Sequence, residues 1–329
     1  MSEKQDNEIM VSILCLAYNH EKYIKFALES FINQKTNFKY EVIINDDCST
    51  DNTRNIIEHY ARKYPEIIKP IYQKENQYSK GKRLLIDILI PKASGKYFTI
   101  CEGDDYWIDE NKLQKQVDFL EKNQDFSLCV SNAAIVYEDN RKIGAIKTVD
   151  VSKELTCRDF IKGGGSFVAT NTIMSLTKYA KNTPKYFEDF SIDYLWQIYL
   201  SSIGKTYCFV QEMAAYRRGT GDSWTNRMNK NPKKYIEINN KLIYKLKEIN
   251  NELNYKYDKE IQERILHYEF INCKLSEDYN SLNKEPLKTY IKQLPKSEKV
   301  KLHIRKKMPH IFKLLRKIKS KFQKFFIKL

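Results

Sequence analysis

The chain has 329 residues, of which 42% are hydrophobic, and this apolar content is enough for a packed core and excludes global disorder. Seven cysteines without any Cys-x-x-Cys spacing argue against a disulfide framework or a zinc site and favour a reducing compartment. The formal net charge is +15, but residues 299–329 hold twelve Lys or Arg and no Asp or Glu, so the rest of the chain carries only +3, which disfavours a uniformly basic nucleic-acid-binding protein.

The N-terminal residues 1–6 are polar and lack the hydrophobic region that a signal peptide contains. No uninterrupted apolar run approaches the roughly 20 residues that a membrane-spanning helix needs. We therefore expect a cytoplasmic protein.

The first hundred residues alternate between two hydrophobic patterns. Apolar runs that predict buried strands fall at residues 10–16, 40–44, 67–72 and 96–100. Helical spacing of apolar residues falls between them, at residues 24–32, 56–60 and 84–90, and Pro91 is expected to end the last of these helices. This alternation with short connections predicts an open α/β sheet.

Polar clusters follow three of these strands: Tyr18 and Asn19, Asp46 and Asp47, and Asp104 and Asp105. Ligands of open α/β sheets bind at the carboxyl ends of the strands, so the clusters are expected to meet at one sheet edge. The chain has neither a Gly-x-Gly-x-x-Gly after the first strand nor a P-loop sequence, which disfavours a dinucleotide or P-loop site.

The segment after the strand at 96–100 holds three carboxylates, Glu102, Asp104 and Asp105, around Gly103. Like charges at this spacing repel one another, which lowers stability unless a bound cation offsets the repulsion. Hard divalent ions such as Mg²⁺ and Mn²⁺ take carboxylate and phosphate oxygens as ligands. The segment therefore predicts a metal–diphosphate site. The alternative is an acidic turn that leads into a helix near Asp109.

Residues 11–19, 41–53 and 102–107 resemble the successive motifs of the family 2 glycosyltransferases, and the similarity covers roughly residues 9–225. The resemblance implies the GT-A fold, a mixed and mainly parallel open sheet flanked by helices. It also implies transfer of a sugar from a nucleotide diphosphate with inversion, in bacterial polysaccharide or cell-surface glycan synthesis.

By this resemblance, Ala17, Tyr18 and Asn19 frame the nucleotide base and Asp47 hydrogen-bonds its uracil or thymine ring. Asp104 and Asp105 form the family's D-x-D-type site for Mn²⁺ or Mg²⁺, with Asp105 as the direct metal ligand and Asp104 also serving the donor. Two positions depart from the family pattern: Glu102 stands where Asp is frequent, and Ala17 where a hydroxyl residue is common. The alternatives are a helix-capping turn at Asp46 and Asp47 and a packed aromatic ring at Tyr18.

The second half of this region is also read from pattern. Strands are predicted at residues 126–137, 167–176 and 205–209, a hairpin partner at 142–149, and helices after Trp107, at 152–161 and from Asp193 onward. Residues 162–166, with three consecutive glycines, are expected to form a flexible connection.

Asp193 is the candidate catalytic base. The resemblance places the family's base just before a helix, and Asp193 lies at the start of the helix that Leu195, Ile198 and Tyr199 predict. Asp189 is the second candidate for the catalytic base, and Glu188 is the third. The alternative is that Asp193 only stabilises the start of the helix, where the helix dipole favours a negative charge.

Arg217 and Arg218 lie in a stretch, residues 216–224, that resembles the family's Tyr-Arg loop over the donor diphosphate. The planar guanidinium suits phosphate oxygens. The alternative is a basic surface loop.

The remainder is expected to be helical. We predict three domains: a GT-A catalytic domain at 1–225, a helical extension at 226–295 and a basic amphipathic helix at 296–329. Within that last segment, apolar residues from Ile311 to Leu329 fall on one helical arc and basic residues on the other side, which fits an anionic membrane surface. Docking on the protein's own body and nucleic-acid binding are the alternatives.

We therefore expect a metal-dependent inverting glycosyltransferase that uses a UDP-sugar and a hydroxyl of a cell-surface glycan or lipid-linked acceptor, at the inner face of the cell membrane and without nucleic acid. One alternative is a nucleotide-sugar nucleotidyltransferase, which should carry a Gly-rich N-terminal phosphate loop that this chain lacks. Another is a non-catalytic membrane-surface binding protein, against which the joint presence of Asp47, Asp104, Asp105 and Asp193 argues.

Overall fold

The computed structural model of the protein describes residues 8–219, 227–228, 230–308 and 310. The chain divides into two compact units, Met1–Arg227 and Met228–Leu329. The predictions for residues 1–6, for loop residues 220–224 and for the amphipathic stretch 311–329 fall outside the described residues.

The first unit is built on one sheet. Its strands are β1 (Ile9–Ala17), β2 (Lys39–Asp46), β3 (Ile68–Tyr72), β4 (Tyr97–Ile100), β5 (Tyr106–Trp107), β6 (Phe126–Val136), β7 (Lys142–Ile146), β8 (Lys153–Leu155), β9 (Met174–Leu176) and β10 (Lys205–Arg217). Its helices are α1 (Ile24–Ile32), α2 (Thr53–Lys63), α3 (Lys112–Lys122), α4 (Cys157–Gly163), α5 (Thr177–Lys181) and α6 (Asp193–Ile203). Shorter helical segments are a π-helix at Leu84–Leu89 and 3-10 turns at Ile90–Lys92, Thr170–Thr172 and Lys185–Phe187.

The strand order is β3-β2-β1-β4-β9-β6-β10-β5, with β7 paired to β6 and β8 paired to β10. Strands β3, β2, β1 and β4 run parallel to one another, and so do β6 and β10. The other pairings are antiparallel. The sheet is therefore a mixed open α/β sheet, as the sequence and the family resemblance predict. The three polar clusters follow strands β1, β2 and β4 of its parallel half.

Burial on both faces explains the apolar run of β1. Val11, Ile13 and Cys15 pack with α1, α2 and α3 in one core, whereas the intervening Ser12 and Leu14 are buried on the opposite face. The predicted strands and helices of residues 9–63 are all confirmed.

The predicted helix at 152–161 is wrong at its start. Residues 153–155 form strand β8, and α4 begins only after Thr156, whose backbone N–H donates to the Asp159 carboxylate at 2.8 Å. This capping box satisfies amide groups at the helix start and so fixes the boundary there.

Two predicted strands differ in length from the observed ones. The predicted strand at 167–176 is real only for β9, because residues 170–172 form a 3-10 turn. The predicted strand at 205–209 instead extends to Arg217, since β10 keeps pairing with β6 beyond a register shift after Phe209. Pro91 lies inside a 3-10 turn rather than after a helix.

The described residues of the second unit are mainly helical, as expected for the extension at 226–295. It contains α7 (Pro232–Glu252), α8 (Asp258–Ser276), a 3-10 turn at Ser281–Asn283, α9 (Leu287–Gln293) and α10 (Lys296–Lys307). Asn231 caps α7 by accepting a hydrogen bond from the Lys234 N–H at 3.1 Å. Within residues 8–219, 227–228, 230–308 and 310, no helix has both the length and the apolar character that crossing a membrane requires.

Candidate active site

The carboxyl ends of β1, β2 and β4 meet, and backbone hydrogen bonds join the segments that follow them. The Asp47 N–H donates to the Ala17 carbonyl at 2.9 Å, and the Gly103 N–H donates to the Leu16 carbonyl at 2.8 Å. The three polar clusters predicted from the sequence therefore lie side by side at one sheet edge.

Gly103 is required by this close approach. A Cβ atom at this position would lie 2.7 Å from the Ile24 Cδ1 atom and 2.8 Å from the His20 Nδ1 atom. Any larger residue would have to displace the Ile24 and His20 side chains that pack against the acidic segment.

The three residues predicted to frame the base, at the end of β1 and in the loop after it, differ in exposure: Ala17 is buried, Asn19 is partly exposed and Tyr18 is exposed. Ala17 is buried, and the Asn19 side-chain oxygen accepts a hydrogen bond from the Thr50 N–H at 2.8 Å. Asn19 also has a positive φ of 55°, a conformation that asparagine tolerates better than most residues. Tyr18 is 39% exposed, so its ring is available to a ligand.

Asp47 is buried, and its carboxylate organises the segment that follows β3. One carboxylate oxygen accepts from the Gln77 N–H at 2.8 Å and the other from the Tyr78 N–H at 3.0 Å. Because each carboxylate oxygen can accept more than one hydrogen bond, Asp47 retains capacity for a ring N–H.

The acidic segment 102–105 concentrates negative charge at this edge. Although the Glu102 side chain reaches solvent, the protein around it and the charges of Asp104 and Asp193 raise its pKa to about 8. Burial, and then the charge of Asp104, raise the pKa of Asp105 well above its usual range. A nearby cation would relieve both effects.

Asp105 is held from two sides. Its Oδ2 atom accepts from the Asn171 side-chain amide at 3.0 Å, and its Oδ1 atom accepts from the Arg217 backbone N–H at 2.8 Å. Asp105 is 5% exposed, whereas Asp104 is partly exposed and its carboxylate has no hydrogen-bond partner among the described residues. Asp104 therefore presents the more open oxygen atoms, and the assignment of Asp105 as the direct metal ligand stays a prediction.

Arg217 is 2% exposed, and its guanidinium is bonded to the protein itself. Its Nε atom donates to the Asp104 carbonyl at 2.7 Å, and its Nη1 atom donates to the carbonyls of Tyr137 and Glu138 at 2.9 and 3.2 Å. The guanidinium carbon lies 4.7, 5.4 and 5.7 Å from the ring centres of Tyr23, Tyr106 and Phe26. This environment argues against Arg217 as a phosphate contact, because its side chain is enclosed and its Nε and Nη1 donors bond the protein itself. The Nη2 atom is buried without a hydrogen-bond partner among the described residues. Arg218 is exposed.

Asp193 is the first residue of α6, as predicted, and its side chain is exposed. Its Oδ2 atom accepts a hydrogen bond from the Thr170 hydroxyl at 2.7 Å. The protein around Asp193 raises its pKa, and the hydrogen bond from Thr170 opposes that shift. Thr170, which bonds Asp193, is followed directly by Asn171, which bonds Asp105, so one short turn connects Asp193 to the acidic segment.

The residues of the acidic segment fit a hard divalent cation. Carboxylates are the ligands that Mg²⁺ and Mn²⁺ prefer, and a site with one or two carboxylates is completed by substrate phosphates and water. The described residues contain no cluster of three or more His, Cys, Asp or Glu side chains arranged to hold a metal by themselves.

Sequence reasoning missed two side chains that contact the predicted site residues, Thr170 and Asn171. Three consecutive polar residues, 170–172, stand between apolar neighbours and were the available signal. The sequence pattern predicts a strand at these residues, and a strand does not predict that their side chains contact Asp193 and Asp105.

A family model described as glycosyl transferase family 2 matches residues 12–181. An uncharacterised protein of Mycobacterium tuberculosis is 32% identical over 219 residues, which cover 65% of this chain and 60% of the relative. The UDP-Glc:alpha-D-GlcNAc-diphosphoundecaprenol beta-1,3-glucosyltransferase WfgD of Escherichia coli is 30% identical over 117 residues, or 36% of this chain and 43% of WfgD. The matched region thus spans less than two thirds of the length of these relatives.

Two solved structures share the fold. S. aureus TarS 1-349 in complex with UDP-GlcNAc matches with a TM-score of 0.58 at 18% identity, covering 89% of this chain and 83% of TarS. The mannosyltransferase PcManGT from Pyrobaculum calidifontis, in complex with GDP-Man and Mn²⁺, matches with a TM-score of 0.50 at 14% identity, covering 87% of this chain and 84% of PcManGT.

Proposed function

Because the chain belongs to glycosyl transferase family 2 and has the GT-A fold, we propose that it is an inverting glycosyltransferase that moves a sugar from a nucleotide-diphosphate donor to a hydroxyl group. The observation that carries this proposal is the position of Asp193. It is an exposed carboxylate that the Thr170 hydroxyl orients, and the next residue, Asn171, bonds Asp105 of the acidic segment, which suits a diphosphate-bound cation.

We propose a UDP-sugar as the donor. TarS was solved with UDP-GlcNAc, and the name of WfgD specifies UDP-Glc. In this chain, Asp47 would accept a hydrogen bond from the base and Tyr18 would cover its ring. Arg218, rather than the buried Arg217, would meet the diphosphate, because its guanidinium faces solvent.

Asp104 would hold a Mn²⁺ or Mg²⁺ ion together with the donor diphosphate, and Asp105 would support it. When bound, such an ion neutralises the charge that grows on the departing diphosphate. PcManGT, which has the same fold, was solved with Mn²⁺. The hydrogen bonds to Asp105 from Asn171 and Arg217 would keep the segment in place during the reaction.

In the proposed reaction, Asp193 removes the proton of the acceptor hydroxyl as its oxygen attacks the anomeric carbon. The bond between that carbon and the diphosphate oxygen breaks on the opposite face, so the configuration inverts. The raised pKa of Asp193 suits this role, because a carboxylate with a higher pKa binds the proton more strongly.

The proposed acceptor is a cell-surface glycan or a lipid-linked sugar. The name of WfgD specifies a diphosphoundecaprenol-linked acceptor. The basic and amphipathic sequence of residues 299–329 would favour such a substrate by holding the enzyme at the inner face of the cell membrane.

The direct test is to incubate the protein with UDP-, dTDP- and GDP-sugars and Mn²⁺ and to measure the free nucleoside diphosphate. We expect release from at least one UDP-sugar, by slow hydrolysis, and loss of that release when EDTA removes the metal. Binding of UDP without cleavage of any sugar donor, with and without extracts containing lipid-linked glycans, would contradict the proposal.

A further inference from the structure

The 3-10 turn Thr170–Thr172 touches both carboxylates on which the proposed reaction depends. It lies between α4 and β9 and carries three consecutive polar residues. Asn171 and Thr172 are buried, so the turn is part of the core of the first unit rather than a surface loop. Its neighbouring side chains leave in different directions, toward the proposed base and toward the acidic segment.

Thr170 serves the base. Its hydroxyl donates to the Asp193 Oδ2 atom at 2.7 Å, from a residue 23 positions earlier in the chain. Asp193 is exposed, and at an exposed carboxylate a single tertiary hydrogen bond can select one rotamer from several. The other oxygen of Asp193 is then free to accept the proton of an acceptor hydroxyl.

Asn171 serves the acidic segment. Its side-chain amide donates to the Asp105 Oδ2 atom and to the Ala215 carbonyl, each at 3.0 Å. The backbone carbonyl of Asn171 accepts a hydrogen bond from the Trp107 indole N–H at 2.9 Å. Asn171 thus ties the segment after β4 to strands β5 and β10 at a single point.

The turn is itself fixed from the interior of the unit. The Thr172 carbonyl accepts from the Gln116 side chain at 2.8 Å, and the adjacent Ile173 carbonyl accepts from the Thr99 hydroxyl at 2.6 Å. The buried Lys112 ammonium donates to both of those side chains, at 2.7 Å to Gln116 and 3.2 Å to Thr99. Strand β4 and helix α3 therefore hold the turn in one position.

We infer that the Thr170–Thr172 turn is a positioning element that fixes the distance between the base and the diphosphate-binding segment. Thr170 positions Asp193, and Asn171 positions Asp105. The expected effect on the rate of sugar transfer rests on the proposed function. The inference gives a positioning role to two residues, Thr170 and Asn171, for which the family resemblance implied none. In-line displacement demands that the base and the leaving-group side be held together, and one short turn bonded to both does this.

The Thr170 half is tested with Thr170→Ala and Thr170→Ser. We expect Thr170→Ala to lower the rate of UDP release from the best UDP-sugar about tenfold or more, because the lost bond has a charged acceptor. Thr170→Ser should restore the rate to within about twofold, and the Kd for UDP with Mn²⁺ should change in neither variant. Equal rates in wild type and Thr170→Ala, or a Thr170→Ser variant as slow as Thr170→Ala, would overturn this half.

A second readout of the Thr170 half does not require turnover. In ¹³C NMR titrations of the side-chain carboxyl, Thr170→Ala should raise the pKa of Asp193 and Thr170→Ser should return it. Glu102, whose pKa is affected by the charges of Asp193 and Arg227, is unchanged in all three proteins. An unshifted pKa would overturn the positioning role, whereas shifted pKa values with no turnover in wild type would contradict only the proposed function.

The Asn171 half is tested with Asn171→Asp, which keeps the shape and replaces the donor by an acceptor facing Asp105. We expect the Kd for UDP in the presence of Mn²⁺ to rise at least tenfold, with less than a twofold change in the absence of metal. If this variant does not fold by near-UV circular dichroism, Asn171→Ala is measured in the same way. An unchanged metal-dependent Kd in a folded variant would overturn this half.

Thr148→Ala is the matched control for general loosening. The Thr148 hydroxyl donates to the Phe167 carbonyl at 2.8 Å. Phe167 is close to the turn in sequence, and this hydrogen bond involves neither carboxylate. We expect its rate and its Kd to stay within about twofold of wild type. A loss equal to that of Thr170→Ala would mean that any lost hydrogen bond in this region reduces turnover, and it would overturn the inference.

Discussion

Arg217 offers the sharpest separation between a structural and a ligand-binding arginine. In Arg217→Met the side chain keeps its length and loses the donors that now bond the carbonyls of Asp104, Tyr137 and Glu138. It also loses the charge that lies among the rings of Tyr23, Tyr106 and Phe26. The acidic segment would then keep only the backbone N–H of residue 217 as its bond to β10.

The magnitude follows from burial. Arg217 is 2% exposed, and a buried carbonyl left without its donor costs about 1–3 kcal/mol, so the loss of these bonds should lower the free energy of unfolding by about 3–5 kcal/mol in total. At about 2–4 °C per kcal/mol for a unit of this size, the melting temperature should fall by about 6–20 °C. Differential scanning calorimetry and urea unfolding measure both quantities.

Arg218→Met is the matched control for this substitution. Arg218 is exposed, so its replacement should change the free energy of unfolding by less than about 0.5 kcal/mol while raising the Kd for UDP with Mn²⁺ about tenfold. The reverse result, an Arg217→Met variant that melts like wild type but binds UDP weakly, would refute the assignment of Arg217 to the protein interior.

Three further outcomes are expected. Gly103→Ala should destabilise the first unit by about 1–3 kcal/mol in urea unfolding, because its Cβ would lie 2.7 Å from Ile24; a variant as stable as wild type would contradict the close approach. Burial lowers the pKa of Lys112 to about 8 from its ordinary 10.5, so between these pH values the unfolded chain binds more protons and wild-type stability should rise with pH relative to Lys112→Met; parallel stability curves at pH 7, 9 and 10 would contradict this. Deleting residues 311–329 removes seven Lys or Arg and should release the protein from vesicles rich in phosphatidylglycerol at 0.15 M salt, whereas unchanged co-sedimentation would contradict membrane binding through this segment.

The parallel half of the sheet could be predicted from sequence because each element there has a strong hydrophobic pattern. Strand β1 is apolar except for Ser12 since both its faces are covered, and the helices that follow β1 and β2 bury a regular stripe. The placement of the polar clusters then followed from the parallel order alone, since parallel strands end at the same edge.

The region from 153 to 176 could not be predicted in the same way. Its elements are three to seven residues long, and the boundaries depend on local bonds such as the Thr156–Asp159 capping box. Hydrophobic periodicity does not identify a 3-10 turn of three residues, so the partners of Asp193 and Asp105 were not found.

Arg217 was assigned to a loop because the sequence predicted that its strand ended at Phe209. The pairing of β10 with β6 continues to Arg217, and Arg217 is buried whereas the preceding Tyr216 is partly exposed, so residue 217 points inward. A charged residue in an inward position has no hydrophobic signature. Its burial depends on carbonyl acceptors that are far away in sequence.

The central claim, that Asp193 is the base of a sugar transfer, is tested most directly by Asp193→Asn beside Asp189→Asn. Calorimetry would give the Kd for UDP with Mn²⁺, and single-turnover release of UDP from the best UDP-sugar would give the rate. We expect Asp193→Asn to bind UDP within about twofold of wild type and to lose at least 100-fold in rate, while Asp189→Asn stays near wild type. A near-normal rate in Asp193→Asn would remove Asp193 from the reaction and contradict the account.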